Sequence, residues 1–297
     1  MSVAEAAAHA PRPVAATDHS APQRPRLLAG SLRLLGSEIR LILGRRRNQA
    51  GLAVLAAVPV IVAVASWYAQ SGPDGEAIGG SIPLNGTFVP FAALSFESAM
   101  FLPLAIAMLT GDSIAGEAHQ GTLRYLLTVP VSRVRLLLIK YVSLVIGTAI
   151  GVLVVVIPGA IAGVALFGLG PTLTLSGTQI SGAESLLRLG LASLYLVAGL
   201  SALAAVGLFI STLTEQPVGA AIALMIINIL CWILYGLSQV SWLHPYLLQG
   251  HWMRYTDVLR EPMDFDAMSR GLGVFAVYTV VFGLCAWARF GKADLTS

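Results

Sequence analysis

The residues whose types and order say most about the chemistry of this chain lie in one charged segment, Gly111–Lys140, between two long apolar runs. The segment reads GDSIAGEAHQGTLRYLLTVPVSRVRLLLIK. It combines a Glu, a Gly-Thr-Leu, a Pro and a Ser-Arg in an order that membrane anchoring alone does not require. The chemistry that it offers is recognition, because its polar side is suited to contact with a soluble partner.

The first half of this segment predicts a short helix that ends in a turn. Asp112, with the Gly and Ser beside it, is expected to end one apolar helix and to cap a new short one. Glu117 lies in that short helix, and Gly121 with Thr122 marks a break and the start of a second helix.

The second half predicts another short helix and the start of the next long one. The apolar face of the short helix would consist of Leu123, Leu126 and Leu127. Pro130 ends it because proline lacks the N–H group that a helix interior needs. Ser132 is placed to cap the following helix, while Arg133 and Lys140 are expected to hold its end at the inner lipid headgroups. An ordinary amphipathic connector would show much of the same pattern.

One acid lies inside an apolar run: Glu97, in the sequence LSFESAMF. An ionisable group in the hydrocarbon region is costly and by default indicates a functional role, and burial favours its neutral form. Glu97 either lines a substrate path or binds a cationic substrate, or it is a protonated acid hydrogen-bonded to a neighbouring helix. Its candidate polar companions are Ser95, Ser98 and Asn228.

The sequence does not indicate an enzyme. The five histidines lie outside the central parts of the apolar runs and no G-x-S-x-G motif occurs, which argues against buried Ser–His chemistry. His244 and His251 lack placed carboxylates, so no metal site is predicted. A phosphate-binding loop needs a Gly-rich turn followed by Lys, and neither Lys140 nor Lys292 follows one. The sequence therefore predicts no phosphate-binding loop in this chain.

The elements that must position these residues are helices in a membrane. The chain has 297 residues, 56% of them hydrophobic and 11% charged, whereas a soluble domain has about 25% charged residues. Six runs reach the length of about 20 apolar residues that crosses a bilayer, and the alternation typical of barrel strands is absent. We predict an all-α membrane protein with six transmembrane helices, at 50–69, 88–109, 136–167, 186–213, 217–237 and 272–290.

The distribution of positive charge predicts the orientation. Arginines are concentrated before the first run and recur in 110–135, whereas the loops 70–87 and 168–185 hold no Lys or Arg. Because such residues favour the cytoplasmic side, both termini and the loop 110–135, which includes the segment 111–130, are expected in the cytoplasm. The loop 238–270 disagrees with its three arginines, although it also carries four acids.

The N-terminal region divides into a tail and a helix. Residues 1–25 are rich in Ala and Pro, and a disordered cytoplasmic tail is expected there. Residues 26–48 predict an amphipathic helix in the headgroup plane. Its apolar face consists of Leu28, Leu32, Leu35, Ile39 and Ile42, and its basic residues at the membrane interface are Arg33, Arg40, Arg45 and Arg46. This helix is either a simple anchor or an elbow that orients the first span and touches a partner.

Two further patterns concern packing. Aromatic residues cluster in the outer hairpin 241–270, where Pro245 and Gly250 are expected to divide short interfacial helices before the last span. Glycines recur at four-residue spacing at positions 147, 151, 159 and 163. Such glycines allow helices to approach closely, either within one subunit or in a dimer seam.

The charged segment resembles that of ABC-2-type permeases, the membrane subunits of export-type ABC transporters. The resemblance rests on Glu117, Gly121-Thr122-Leu123, Leu126-Leu127, Pro130-Val131-Ser132-Arg133 and Lys140. It is specific over this segment. Elsewhere the likeness is architectural: six spans, cytoplasmic termini, a basic elbow helix and an aromatic outer hairpin.

The resemblance implies that the segment around Gly111–Leu127 is a cytoplasmic coupling helix that docks into an ATPase subunit. Its coupling residues would be Asp112, Glu117, Gly121, Thr122, Leu123 and Leu126. The chain would be the permease of an ATP-driven exporter that moves an amphiphilic or lipophilic compound, such as a drug, antibiotic or lipid, out of the cytoplasm or inner leaflet. It would have no catalytic residue and no cofactor of its own. ATP and Mg would bind to two partner ATPase subunits, a second permease subunit, identical or homologous, would complete the assembly, and nucleic acid is not an expected partner.

The alternative is a proton-coupled secondary transporter that uses Glu97 as its proton site. Such proteins usually show internal repeats and helices broken at the membrane midplane, and the sequence shows no convincing repeat and one central acid. Export driven by a proton gradient, without ATP or a partner, would favour it.

Overall fold

The computed structural model describes residues 24–71, 85–121 and 132–292 of the chain. Within these ranges almost all of the backbone is helical, as the sequence predicts. The exceptions to an all-α structure are two antiparallel strands of two residues each, β1 (Thr172–Leu173) and β2 (Gln179–Ile180), which close a small hairpin.

Ten α-helices run through the described ranges. They are α1 (Arg24–Gly44), α2 (Arg46–Ser71), α3 (Phe88–Ala99), α4 (Phe101–Ser113), α5 (Ala115–His119), α6 (Arg133–Phe167), α7 (Gly182–Ser211), α8 (Pro217–Gly236), α9 (Leu248–Trp252) and α10 (Phe265–Lys292). Two 3-10 segments flank α9, at Ser238–Tyr246 and Met253–Leu259.

Five of these helices, α2, α6, α7, α8 and α10, are long and apolar enough to cross a membrane. The helices α3 and α4 meet that criterion only as a pair, and the pair is bent by 52°. It would make a sixth crossing if the two were one span. The long apolar helices indicate a multi-pass membrane protein.

The break between α3 and α4 corrects the prediction of one unbroken helix over 88–109. Its physical cause is Pro103, which lacks the N–H group that would bond the carbonyl of Ala99 four residues earlier. The side-chain amide of Asn228 in α8 donates to that carbonyl instead, at 3.4 Å. Pro103 was therefore a signal for the break within the sequence.

Two other predicted boundaries move. The turn between the first two helices lies at Arg45 rather than after residue 48, because the side chains of Asn48 and Gln49 bond the last carbonyls of α1, those of Ile42 and Leu43. At the other end of the chain, α10 begins at Phe265, before the predicted start at residue 272.

The central helix of the bundle is α7. In its most apolar window 78% of the residues are buried, compared with 17% to 33% for the other four long helices. Small residues allow this, since a Cβ atom at Gly207 would overlap Thr110 of α4. Tight packing on α7 therefore holds the rest of the bundle together.

The regularly spaced glycines of α6 pack within the chain. Gly147 faces Leu109 of α4, Gly159 lies against Pro59 and Pro90, and a Cβ at Gly163 would overlap the backbone of Gly86. The structure thus confirms close packing within one subunit for these glycines, so a dimer seam is not needed to explain them.

The outer hairpin consists of three short helical pieces, as α9 lies between the two 3-10 segments. Gly250 does not divide it, because Gly250 lies within α9, where the ring of Tyr235 occupies the space of its missing side chain. Trp252 and Tyr255 are fully buried. The hairpin is therefore folded into the helix bundle, and Tyr255 shares a 2.6 Å hydrogen bond with Ser95 of α3.

Candidate functional site

The charged residues of the sequence motif meet at one end of the bundle, where α1, α4, α5 and α6 come together. We call this cluster the junction and define it by Glu38, Arg45, Asp112, Glu117 and Lys140. The opposite end, which carries the outer hairpin and the strands β1 and β2, is called the hairpin end.

Lys140 is the centre of the junction. Its side chain lies in the second turn of α6 and is only 1% exposed. Its ammonium nitrogen Nζ lies 2.6 Å from Oε1 of Glu117 in α5 and 3.2 Å from Oε1 of Glu38 in α1. Lys140 is buried inside the protein, so its expected role at the lipid headgroups is wrong. A buried charge requires ionic partners, and Glu117 and Glu38 provide them. One lysine joins three helices.

Glu117 faces the interior of the junction. Its side chain is 12% exposed, so little of it is available to a partner protein. Burial raises the pKa of Glu117, and the neighbouring Lys140 ammonium opposes that rise. The acid that the sequence motif places on a docking surface instead links α5 to α6.

Asp112 forms the second ionic contact of the junction. Its carboxylate, in the last turn of α4, lies 2.6 Å from Nη1 of Arg45 and also pairs with Arg47. Arg45 therefore binds protein in addition to its predicted place at the membrane interface, and Arg47 is a partner that the sequence did not predict. Arg33, Arg40 and Arg46 are exposed, and their interfacial role stays a prediction.

The N-terminus of α5 is capped by a residue that the sequence did not reveal. The hydroxyl oxygen of Ser211, the last residue of α7, accepts hydrogen bonds from the backbone N–H groups of Ile114 at 3.3 Å and Ala115 at 3.0 Å. Helix N-termini need such acceptors. The expected cap from Asp112 is wrong, since that carboxylate is held by arginines.

The described residues on either side of 122–131, Gly121 and Ser132, agree with the predictions from the sequence. Gly121 adopts a positive φ of 67°, the left-handed conformation that favours glycine, and so confirms a break there. Ser132 caps α6 by accepting from the backbone N–H of Arg135 at 3.4 Å. Thr122, Leu123 and Leu126 lie outside the described residues. Arg133 donates to the carbonyl of Phe290 at 3.3 Å, which ties α6 to α10.

Glu97 is fully buried in α3, two residues before the end of that helix. Neither of its carboxylate oxygens has a hydrogen-bond partner in the part of the chain that the structure describes. The three predicted companions are engaged elsewhere: Ser95 with Tyr255, Ser98 with the carbonyl of Ser95, and Asn228 with Ala99 and Gln249. The hydrogen bonds between Glu97 and Ser95, Ser98 or Asn228 that the sequence suggested are therefore not formed.

A large apolar cleft lies between α6, α7 and α10. Its volume is about 780 Å³ and its walls are almost entirely apolar. Tyr141 of α6 lines the cleft, and its hydroxyl donates to the carbonyl of Ser201 in α7 at 3.2 Å. A cleft of this size and lining is suited to an apolar or amphiphilic molecule.

A buried arginine organises the hairpin end. Arg188 in α7 is 2% exposed, and its guanidinium donates to the carbonyls of Val258 and Arg260 at 3.0 and 3.1 Å. It also pairs with Glu184, at 2.6 Å, and with Glu261. The four-residue spacing of Glu184 and Arg188 was the available sequence signal, but the contacts with the hairpin were not predictable from it.

Comparison with known proteins places most of the chain in one family. The model of the family described as "Protein of unknown function (DUF2705)" matches residues 76–296, which is more than two thirds of the chain. No curated protein matches the chain at a significant level.

Proposed function

We propose a transport function for this chain, which belongs to the DUF2705 family of proteins of unknown function. The chain is the permease subunit of an ATP-driven exporter of the ABC-2 type, and a separate subunit hydrolyses the ATP. Two such ATPase subunits, which bind ATP and Mg, and a second permease subunit complete the assembly. The setting is a bacterial-type inner membrane, with six spans and both termini in the cytoplasm.

The observation that carries this proposal is the buried position of Lys140 between Glu38 and Glu117. Separating a buried ion pair leaves an uncompensated charge and costs about 3–5 kcal/mol. A displacement of α5 is therefore accompanied by movement of α1 and α6, because the ion pairs resist separation. A partner that pushes on α5 would act on both long helices through a single contact.

The docking surface of this proposal differs from the one that the sequence motif suggests. Glu117 transmits force within the subunit, whereas His119, Gln120 and Gly121 at the end of α5 are exposed. These three residues and the segment that follows, including Thr122, Leu123 and Leu126, form the surface that the ATPase contacts.

The proposed cargo is amphiphilic or lipophilic. The supporting observation is the apolar cleft of about 780 Å³ between α6, α7 and α10. Its Tyr141 is one residue along from Lys140 on α6, so a movement of α6 at the junction also moves a wall of the cleft.

The experiment that tests this proposal is purification of the native assembly followed by transport measurement in proteoliposomes. We expect an ATPase subunit to co-purify and transport to require ATP. Glu117→Gln should keep the ATPase bound but lower the number of molecules moved per ATP hydrolysed, and Arg40→Gln, an exposed change on α1, should leave that number unchanged. Transport by an assembly without a nucleotide-hydrolysing subunit would refute the proposal.

A proton-coupled secondary transporter is the second candidate, and one structural feature favours it. The fully buried Glu97 lies beside the 52° break between α3 and α4, and broken helices near buried ionisable groups are typical of secondary transporters. Under this hypothesis Glu97→Gln, which cannot release a proton, abolishes transport driven by a pH gradient. If Glu97 is a neutral structural acid, the same variant transports normally.

A further inference from the structure

A second large pocket lies at the hairpin end, between α8, α9 and α10. Its volume is about 730 Å³, within the range of about 300–1,000 Å³ that is typical of ligand sites. It occupies a different face of α10 from the apolar cleft, and its lining combines aromatic rings with positive charge.

Two arginines provide the charge. Arg254 is 43% exposed and has one distant ionic contact, 3.6 Å from Asp257. Arg270 uses its Nε atom to bond the carbonyl of Asp266 at 3.2 Å, and it forms no ion pair with any carboxylate in residues 24–71, 85–121 or 132–292. No acidic residue of those ranges lines the pocket. Guanidinium groups of this kind bind phosphate through charge-assisted hydrogen bonds.

His251 contributes a polar atom whose bonding is incomplete. Its Nε2 atom lies 2.9 Å from the carbonyl oxygen of Pro245, and because a carbonyl can only accept, Nε2 must carry the hydrogen. The other ring nitrogen, Nδ1, is buried and has no partner among the residues described. Because Nδ1 is buried, His251 contributes a wall of the pocket rather than a contact with a ligand.

The rest of the pocket is apolar and elongated. Val274, Val277 and Tyr278 follow Arg270 along the same side of α10, and the nine residues from Arg270 to Tyr278 span about 12 Å of helix. Gly273 leaves the helix backbone uncovered there, since a Cβ atom at that position would meet nothing within 4 Å. Charge at one end and apolar surface at the other match an amphiphile.

We propose that this pocket binds one anionic phospholipid of the surrounding bilayer, with its phosphate at Arg254 and Arg270 and an acyl chain along Val274 and Val277. Two arginines in a pocket whose described lining contains no acidic residue select an anionic headgroup over a zwitterionic one. The apolar wall favours a lipid over inorganic phosphate as the occupant, because free phosphate cannot fill it. The proposal is independent of the ATP-driven export proposed above, because it requires only that the helices lie in a membrane.

The preference for an anionic headgroup is tested by native mass spectrometry of the purified full chain, titrated with phosphatidylglycerol or phosphatidylcholine. We expect one phosphatidylglycerol per chain to bind in preference to phosphatidylcholine. Arg254→Gln and Arg270→Gln should each weaken that binding about tenfold, the effect of losing one charge-assisted hydrogen bond. The matched control is Arg260→Gln, because Arg260 also pairs with Asp257 but does not line the pocket.

The position of the lipid in this pocket is tested by filling the pocket with a larger side chain. Gly273→Leu places a side chain in open space and replaces a weak helix former, so it should not lower thermal stability while abolishing the bound phosphatidylglycerol. Gly283→Leu is the matched control, because Gly283 is on the same helix, also has open space around it and does not line the pocket. Equal binding of the two lipids, retention of phosphatidylglycerol by Gly273→Leu, or its displacement by millimolar inorganic phosphate would each overturn the proposal.

Discussion

The Nζ atom of Lys140 lies 2.6 Å from Oε1 of Glu117, and the lysine side chain is only 1% exposed. This pair joins the five-residue helix α5 to the start of α6, and Glu38 extends the contact to α1. A short helix has little stability of its own. The position of α5 is therefore set by its ionic and capping contacts with longer helices.

Replacing Lys140 by Met is expected to lower the stability of the protein by about 3–5 kcal/mol, because it leaves two carboxylates without their buried cation. Thermal unfolding in detergent measures the effect. The double variant Lys140→Met with Glu117→Leu should recover part of the loss, because it removes the charge that Lys140 neutralises. Additive losses in the double variant would show that the two side chains do not interact.

The stability of the protein is expected to depend on pH through Glu117. Burial raises the folded-state pKa of this carboxyl above its ordinary value of 4.5, so the folded chain holds the proton more tightly than the unfolded chain. The stabilisation that comes from this tighter proton binding is fully present below about pH 4.5 and is lost as pH rises through the raised pKa of Glu117. We expect the melting temperature of wild type to fall more than that of Glu117→Gln when both are measured from pH 4.5 upward. Parallel curves would contradict the assignment.

Ser211→Ala is expected to loosen α5 without unfolding the bundle. The change removes the acceptor for the N–H groups of Ile114 and Ala115, and loss of an N-cap costs about 1 kcal/mol. Hydrogen exchange should accelerate at these two amides. Ser193→Ala is the control, because the one bond of the Ser193 hydroxyl among the described residues is to the carbonyl of Leu189 within its own helix. Equal exchange in the two variants would exclude the cap.

Arg188→Lys is expected to release the outer hairpin from α7. A lysine ammonium cannot reproduce the fork that bonds the carbonyls of Val258 and Arg260 together with two carboxylates. Limited proteolysis should cleave within Met253–Leu259 faster than in wild type. Arg260→Gln, which changes an exposed arginine of the same hairpin, should keep the wild-type rate, and equal protection of all three proteins would refute the role of Arg188.

The long helices were predictable because their signal is local. An uninterrupted apolar run predicts a helix in lipid whatever its neighbours are, and the five long helices coincide with predicted windows. The cap at Ser132 and the break at Gly121 were predictable for the same reason, since each depends on residues adjacent in sequence. Pro103 carried an equally local signal for the break between α3 and α4.

The partners of the polar residues were not predictable, because they come from distant parts of the chain. Glu38 and Lys140 are about a hundred positions apart, as are Ala115 and Ser211, and nothing in either local sequence specifies the other. The motif identified Glu117 and Lys140 as notable residues but placed both on surfaces. Both side chains face the interior instead, where a charge without water must be neutralised by another side chain.

The sequence by itself determined that the chain is helical, that it suits a membrane and that one charged segment interrupts its apolar runs, since composition and spacing act over a few turns of chain. The tertiary structure alone decided that this segment is tied inward by Lys140, that Glu97 has no hydrogen bond to any described residue, and that Arg254 and Arg270 share one pocket. Those outcomes depend on which helix faces pack together, and packing is a property of the whole chain.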